Sequence, residues 1–345
     1  MARIMVAMSG GVDSTAAASL LLEQGHACAG AHLELTGTTQ EAQDARAAAD
    51  RLGMPFHLFD MRARFGREVV ARFAESYLKG ETPNPCIECN RYIKFAALLE
   101  QAGQLGYDAI ATGHYARVES SNGRWQIKKA LDPSKDQSYV LYTLTQDQLA
   151  CVCFPLGGMT KAQVRAYAQS RGFGNAQKKE SQDICFVPDG DYAAFLERHT
   201  GLPLRPGDFV DPEGRILGRH RGTPCYTLGQ RKGLGLALPR LGYVCGIDPA
   251  RCTVTVGDES LLFGTTLHAR GVNLIACDSL SAPLRCKAKI RYRQAEQWAA
   301  AEQTGEDALL VTFDEPQRAI TPGQAVVLYD GDCVIGGGTI VNAEC

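Results

Sequence analysis

The first 25 residues of the chain predict a strand, a glycine-containing loop and a helix in direct succession. The apolar run Arg3–Met8 leads into SGGVDS (Ser9–Ser14), and the alanine-rich stretch Ser14–Gln24 ends before Gly25, a residue type that commonly terminates helices. A loop between a buried strand and a helix N-terminus presents free N–H groups to an anion, and its glycines permit close approach. We therefore expect this loop to hold a phosphate group, although a glycine turn capped by a serine needs no ligand.

The segments that follow alternate between strand-like and helix-like patterns. Three apolar runs suit buried strands, namely Cys28–Leu35, Pro55–Met61 and Tyr107–Thr112. The segments that separate these runs suit helices, namely Gln40–Leu52, Arg64–Lys79 and Tyr92–Leu105. This alternation predicts an α/β fold with a doubly wound parallel sheet. Ligands of such sheets bind beyond the carboxyl ends of the strands, where SGGVDS and TGHY (Thr112–Tyr115) would both lie.

The pattern changes beyond about residue 200 of the 345. Glycine, proline and short β-prone runs dominate from Gly201 to Asp258, and alternating apolar segments continue from Thr265 to the end. We predict three domains: an α/β domain over 1–199, a small β-rich domain over 200–262 and a C-terminal β-barrel over 263–345.

Composition favours a cytoplasmic protein with free thiols. The early apolar run is short and stops at Ser9, which suits a strand and not a signal peptide. No apolar run reaches the ~20 residues that a membrane-spanning helix needs. The 13 cysteines are therefore expected to be free thiols, some of them reactive or metal-binding, and not a disulfide framework. Because the net charge is −2, a nucleic acid would have to meet local basic patches.

Two cysteine-containing segments are candidate reactive sites. The string TPNPCIECNRYIKF places Cys86 and Cys89 in an irregular loop, Glu81–Asn90, just before a helix, where the helix dipole would lower the thiol pKa. The string ESQDICFVPDGDY places Cys185 beside Asp183. A CxxC pair on its own is compatible with a redox pair, half of a metal site or two incidental thiols.

SGGVDS is not a Walker A loop, because no lysine follows its glycines. Asp13 inside the loop fits a Mg²⁺-bound pyrophosphate instead. The string resembles the PP-loop of ATP pyrophosphatases, which cleave ATP between the α and β phosphates. That resemblance implies an adenine-nucleotide α-hydrolase-like fold and AMP transfer to an acceptor oxygen.

Six strings, in order along the chain, resemble the MnmA family of tRNA-specific 2-thiouridylases: SGGVDS, TPNPCIECNRYIKF, TGHYARV, SKDQSYVLYTL, ESQDICFVPDGDY and YTLGQRKGLG. The resemblance implies an ATP-dependent enzyme that adenylates C2 of the wobble uridine of lysine, glutamate and glutamine tRNAs and then inserts sulfur. It implies that Cys185 carries a persulfide received from a cysteine desulfurase or a sulfur-carrier protein. Cys89 would be the second catalytic cysteine, able to form a disulfide with Cys185.

The resemblance also assigns binding positions. The positions assigned to ATP with Mg²⁺ are Met8, Ser9, Gly10, Gly11, Val12, Asp13, Ser14, Leu33 and Gly113. The positions assigned to the target base are Asn84, Pro85 and Cys86. The positions assigned to the rest of the tRNA are Lys135, Asp136, Gln137, Arg291 and Tyr292. Cys86 stands where the best-studied members carry an aspartate proposed as a general acid or base, so that role has no carboxylate here. Further basic candidates for tRNA are Lys128, Lys129, Lys178, Lys179, Arg215–Arg221, Arg231, Lys232 and Arg293.

Three alternatives stay open at this point. Cys86, Cys89 and Cys185 could instead hold a 4Fe–4S cluster, since thiolates are the usual cluster ligands. A PP-loop ligase that acts on an amine would need neither Cys89 nor Cys185. A tRNA-binding protein with structural ATP would release no pyrophosphate.

Overall fold

The computed structural model describes residues 1–37, 39–173, 184–238 and 240–344. Lys178, Lys179 and Asp183 lie outside the described residues. Within them, no helix is both long and apolar enough to cross a membrane.

The N-terminal part is built on a parallel sheet of five strands in the order β3-β2-β1-β4-β7. Their bounds are β1 Arg3–Ala7, β2 Ala27–Glu34, β3 Phe56–Asp60, β4 Ala109–Ala111 and β7 Val152–Cys153. The strand order reverses between β1 and β4, and such a switch point is where open α/β sheets bind ligands. The predicted parallel sheet is confirmed.

Both faces of this sheet are covered, which explains why its strands read as continuous apolar runs. Ile4 and Val6 of β1 pack against one set of helices, whereas Met5 points into a second core on the opposite face. The helical segments in order are α1 Val12–Glu23, α2 Thr39–Arg51, α3 Arg62–Phe65, a π-helical turn Gly66–Ala71, α4 Arg72–Leu78, α5 Pro85–Glu88, a π-helical stretch Cys89–Ala97, α6 Leu98–Gln104, α7 Gln146–Ala150, α8 Lys161–Ser170 and α9 Tyr192–Thr200.

The middle and C-terminal parts are β structures, as predicted. A four-stranded sheet in the middle part contains β8 Gly207–Val210, β9 Ile216–His220, β10 Tyr243–Asp248 and β11 Thr253–Gly257. Its strand order is β10-β11-β8-β9. The C-terminal barrel contains β12 Phe263–Leu274, β13 Leu284–Lys289, β14 Gln297–Gly305, β15 Ala308–Arg318, β16 Ala325–Asp330 and β17 Cys333–Glu344. Pairing of β12 with both β15 and β17 closes these six strands.

A hairpin from the N-terminal part extends the barrel sheet. Its strands, β5 Ala116–Ser121 and β6 Arg124–Lys129, join the sheet through a pairing of β6 with β17. Asn122 and Gly123 both have positive φ, of 52° and 76°, which a two-residue hairpin turn requires. The sequence analysis did not predict this hairpin.

The barrel and the parallel-sheet domain share one hydrophobic core. Val326 and Leu328 of β16 point into the barrel, whereas Ala325, Val327 and Tyr329 on its other face pack against Tyr139–Tyr142. We call residues 138–144 the junction segment. Asn273 on β12 donates from its amide to the carbonyls of Tyr142 (2.6 Å) and Leu144 (2.9 Å). These bonds tie the barrel to the junction segment.

Replacing Asn273 by alanine removes both bonds and leaves two carbonyls of the junction segment without this partner. We expect the free energy of unfolding to fall by about 1–3 kcal/mol, measured by urea denaturation. The exposed Asn342 on β17 is the matched control, and Asn342→Ala should stay within about 0.5 kcal/mol of the parent. Equal effects of the two variants would contradict the role assigned to Asn273.

Candidate active site

The SGGVDS loop lies at the carboxyl end of β1, beside the switch point of the sheet. Gly11 is the N-cap of α1 in extended conformation, and no side chain caps this helix. Ser14 donates from its hydroxyl to the Gly11 carbonyl (3.1 Å) and accepts from the backbone N–H of Ser9 (3.3 Å). The uncapped N-terminus keeps helix N–H groups directed at the position where an anion would bind.

Two glycines fix the shape of this loop. Gly10 has φ +71°, and a Cβ there would lie 2.5 Å from the Cβ of Asp44 on α2. Gly113, which follows β4, packs so closely that a Cβ would lie 3.0 Å from backbone atoms of Asp13 and Ser14. The loops after β1 and β4 therefore touch each other, and both lie at the carboxyl ends of their strands, where the sequence analysis expected SGGVDS and TGHY.

Asp13 is held by an ion pair that the sequence analysis missed. The Lys161 ammonium lies 2.8 and 2.7 Å from its two carboxylate oxygens, and the Tyr115 hydroxyl donates to one of them (2.8 Å). Lys161 is the first residue of α8, and its side chain is only 8% exposed. The two partners are 148 positions apart, so no local pattern could have paired them.

The same network reaches the segment Lys135–Gln137. The Gln137 side-chain oxygen accepts from the backbone N–H of Tyr115 (2.9 Å), and the Gln137 N–H donates to the Tyr115 carbonyl (2.9 Å). Asp136 accepts from the backbone of Ala130 (3.0 Å) and from the hydroxyl of Ser138 (2.8 Å). Asp136 and Gln137 thus shape a loop that is connected through Tyr115 to Asp13.

The two cysteines of the CxxC lie on a helix, so the expectation of an irregular loop up to Asn90 was wrong. Asn84 is the N-cap and accepts from the backbone N–H of Cys86 (3.1 Å), and Pro85 is the first helical residue. Thr82, just upstream, is anchored to the barrel, because it accepts from the Gln324 amide (2.6 Å) and donates to the Pro322 carbonyl (2.8 Å).

The expected lowering of the thiol pKa is also wrong for Cys89. Cys86 is exposed at the start of the helix, but Cys89 lies one turn further in and is buried. Burial raises the pKa of the Cys89 thiol to about 12, and the opposing influence of the Lys94 charge is smaller. Desolvation therefore outweighs any benefit from the helix N-terminus.

Cys185 lies beside this helix although it is 96 positions from Cys89 (185 minus 89). Its neighbour Phe186 packs in one apolar cluster with Cys89 and Leu33, the latter from β2. The Cys185 thiol interacts electrostatically with Cys86, Cys89 and Lys94, and partial burial raises its pKa. The fold thus brings the three candidate thiols of the sequence analysis together, next to the strand that carries Leu33.

His114 follows Gly113 and is buried against Phe95 and Phe154. Its Nδ1 lies 2.7 Å from the Thr112 hydroxyl. Burial first, and the charge of Lys94 second, hold the His114 pKa well below its usual value, so the ring is neutral at pH 7.

Within the described ranges, no three His, Cys, Asp or Glu side chains are placed to hold a single metal ion, and all three cysteines belong to those ranges. A 4Fe–4S cluster, in which each thiolate would bind a different iron atom, stays a prediction. No step below passes through it.

Several candidate tRNA-binding residues have internal partners. Arg291 donates to Thr321 Oγ1 (2.6 Å) and to the Ala319 carbonyl (3.1 Å), and burial lowers its pKa. The Tyr292 ring lies 6.0 Å from that of Tyr139 in the junction core. Other candidates form ion pairs: Lys128 with Glu119, Lys129 with Glu296, Arg215 with Asp211 and Arg219 with Asp208. Contacts of these residues with tRNA stay predictions.

Comparison with known proteins decides the family. Three models match consecutive parts of the chain: the tRNA methyl transferase HUP domain over residues 2–189, the tRNA methyl transferase PRC-barrel domain over 193–258 and the aminomethyltransferase beta-barrel domain over 265–340. The tRNA-specific 2-thiouridylase MnmA of Carboxydothermus hydrogenoformans is 48% identical over 98% of this chain and 97% of its own length. The chain belongs to the MnmA family.

Other members agree over similar lengths. MnmA of Moorella thermoacetica is 49% identical over 97% of this chain and 98% of its own, and MnmA of Acetivibrio thermocellus is 46% identical over 98% and 99%. Similarity to solved structures is low: a 4-thiouridine synthetase–RNA complex with bound ATP has a TM-score of 0.38 and 16% identity, covering 58% of this chain and 50% of that one. A similarity of that size adds nothing to the assignment.

Gly113→Ala should weaken ATP binding, because the added methyl group would push the backbone of Asp13 and Ser14 out of place. A clash of this kind costs about 1–3 kcal/mol, so we expect the Kd for ATP to rise about tenfold or more in calorimetry. Gly103→Ala on α6 is the control, since nothing lies within 4 Å of a Cβ there. An unchanged Kd for Gly113→Ala would refute the contact.

The thiols should also differ in reactivity. At pH 8 the Cys89 thiol, whose pKa is about 12, stays protonated and buried, whereas Cys86 is exposed. Brief iodoacetamide treatment followed by peptide mass spectrometry should find Cys86 alkylated well before Cys89. Equal rates for the two would contradict the burial of Cys89.

Proposed function

We propose that the protein converts the wobble uridine of a tRNA to 2-thiouridine, with ATP consumed to AMP and pyrophosphate. The observation that supports this most strongly is the meeting of Cys89 and Cys185 beside Leu33, in a chain of the MnmA family whose phosphate loop has no Walker lysine. A ligase with an amine acceptor has no use for such a pair of thiols. A protein that only binds tRNA needs neither the thiols nor an open helix N-terminus.

The first step makes the uridine oxygen a better leaving group. The C2 oxygen attacks the α-phosphorus of ATP, a new P–O bond forms, and the bond to the β-phosphate breaks to release pyrophosphate. The N–H groups at the start of α1 would stabilise the departing negative charge. Gly10 and Gly113 leave space for the backbone to approach the phosphates.

Asp13 would be the residue that holds Mg²⁺, since Mg²⁺ in nucleotide sites often takes only one or two carboxylates. The residue fits that role only after an exchange of partners, because Lys161 now occupies both carboxylate oxygens. The metal would neutralise charge on the leaving group. We propose that Lys161 then turns from Asp13 to the phosphates.

The second step transfers sulfur. A persulfide on Cys185, supplied by a cysteine desulfurase or a sulfur carrier, attacks C2 with its terminal sulfur, and AMP leaves with the C2 oxygen. The Cys89 thiol then attacks Sγ of Cys185 as it gives up its proton, the S–S bond breaks, and the electron pair of that bond stays on the sulfur bound to C2, which with the proton gives neutral 2-thiouridine. The products are 2-thiouridine and a Cys89–Cys185 disulfide, which an external thiol must reduce before the next turnover.

The tRNA would reach this site across the junction of the domains. Asn84 and Pro85 at the start of the helix, with exposed Cys86, are the proposed contacts of the target base. Lys135–Gln137 would contact the tRNA beside them, and Tyr115 connects that loop to Asp13. An anticodon base is unstacked at small cost, so it can enter such a pocket.

Cys185→Ser should separate the two steps. In the presence of ATP, a tRNA with a wobble uridine, a cysteine desulfurase and cysteine, we expect tRNA-dependent pyrophosphate release to continue and 2-thiouridine to be undetectable by nucleoside mass spectrometry. Cys277→Ser, at a cysteine near Arg124 and Asp278, is the control that should retain both. Thiouridine formation by the Cys185 variant would exclude the proposed sulfur carrier.

A further inference from the structure

The helix that carries Cys89 changes its hydrogen-bond pattern at that residue. From Cys89 to Ala97 it is π-helical, with the Leu98 N–H donating to the carbonyl of Ile93 five positions earlier. Residues five apart therefore lie nearly above one another, as residues four apart do in an α-helix. The residue five positions after Cys89 is Lys94, which this register places on the face of the helix that carries the buried thiol.

Lys94 interacts with three groups of the candidate site that come from different parts of the chain. Its charge acts on Cys89 of the same helix, on Cys185 and on His114 beside the phosphate loop. The residue is half-buried between Ile93 and Phe95, which are completely buried. Neutral His114 offers no positive charge of its own, whereas the ammonium of Lys94 carries a positive charge that acts on both thiols.

No carboxylate among the residues that the structure describes forms an ion pair with this ammonium, whereas Lys128, Lys129 and Lys161 each have one. A cation without such a partner can compensate the charge of an anion that forms beside it. The sulfur-transfer step creates anions at both thiols: the persulfide on Cys185 and the thiolate of Cys89.

We propose that Lys94 is a positioning residue that stabilises the anionic sulfur on Cys185 and then on Cys89 while sulfur moves to the activated uridine. This inference rests on the proposed function. It assigns to one lysine the charge compensation that the buried Cys89 and the partly buried Cys185 both need when they carry negative charge. The π-helical register is what brings it there, because an α-helical continuation would rotate Lys94 away from Cys89.

The test separates sulfur transfer from adenylation in the full-length protein. For Lys94→Met, with ATP, a wobble-uridine tRNA, a cysteine desulfurase and cysteine, we expect thiouridine formation to slow about 10- to 100-fold. Pyrophosphate release should stay within about twofold of the parent rate, because the phosphate loop and the tRNA contacts are unchanged. The number of pyrophosphates released per thiouridine should therefore rise.

Two further variants make the result decisive. Lys94→Arg keeps the positive charge and should recover most of the thiouridine rate. Arg91→Met removes an exposed charge from the same helix and should leave the ratio of pyrophosphate to thiouridine at the parent value. The inference is overturned if Lys94→Met leaves the thiouridine rate unchanged, slows both products equally, or is not improved by arginine. A parent protein that makes no thiouridine at all would instead refute the proposed function.

Discussion

A few buried hydrogen bonds to the junction segment, residues 138–144, hold the parallel-sheet domain and the barrel together. Its carbonyls are buried and need donors. The Asn90 amide supplies one to Val140 (3.0 Å), and Asn273 on the barrel supplies two more. Asn90 is the neighbour of Cys89, so the same short segment fixes the thiol helix on one side and the barrel on the other.

This arrangement explains how two reactive regions can face one substrate. The phosphate loop is fixed by the parallel sheet, whereas the start of the CxxC helix is fixed by the barrel through Thr82 and Gln324. Because the junction segment joins both supports, the distance between nucleotide and thiols is set by packing and not by a flexible linker. Burial of Cys89 then keeps its thiol protonated, with a pKa of about 12, which protects it from chance oxidation.

Local signals were sufficient for much of this architecture. The apolar run, glycine loop and alanine-rich helix predicted β1, the anion loop and α1, and the alternation predicted the doubly wound sheet. The same kind of signal was available at two places where the prediction failed. Asn84 before Pro85 is a typical helix start, and Asn122-Gly123 is a typical hairpin turn.

Other features could not be read from the sequence. The pKa of Cys89 depends on how completely Ile93, Phe186 and Leu33 surround it, and Phe186 comes from a distant segment. The Asp13–Lys161 pair joins two helices through tertiary packing. The placement of the Lys94 charge near the two thiols follows from a π-helical stretch, and the sequence CNRYIKFAA carries no recognised pattern for such a stretch.

The central claim is that ATP makes the uridine oxygen a leaving group and that sulfur then passes from Cys185 with Cys89 releasing it. The most direct measurement is a single turnover of persulfidated protein with ATP and tRNA in the absence of reductant, followed by peptide mapping under non-reducing conditions. The account predicts one Cys89–Cys185 disulfide for each 2-thiouridine formed. Thiouridine formed while both thiols remain free would contradict it.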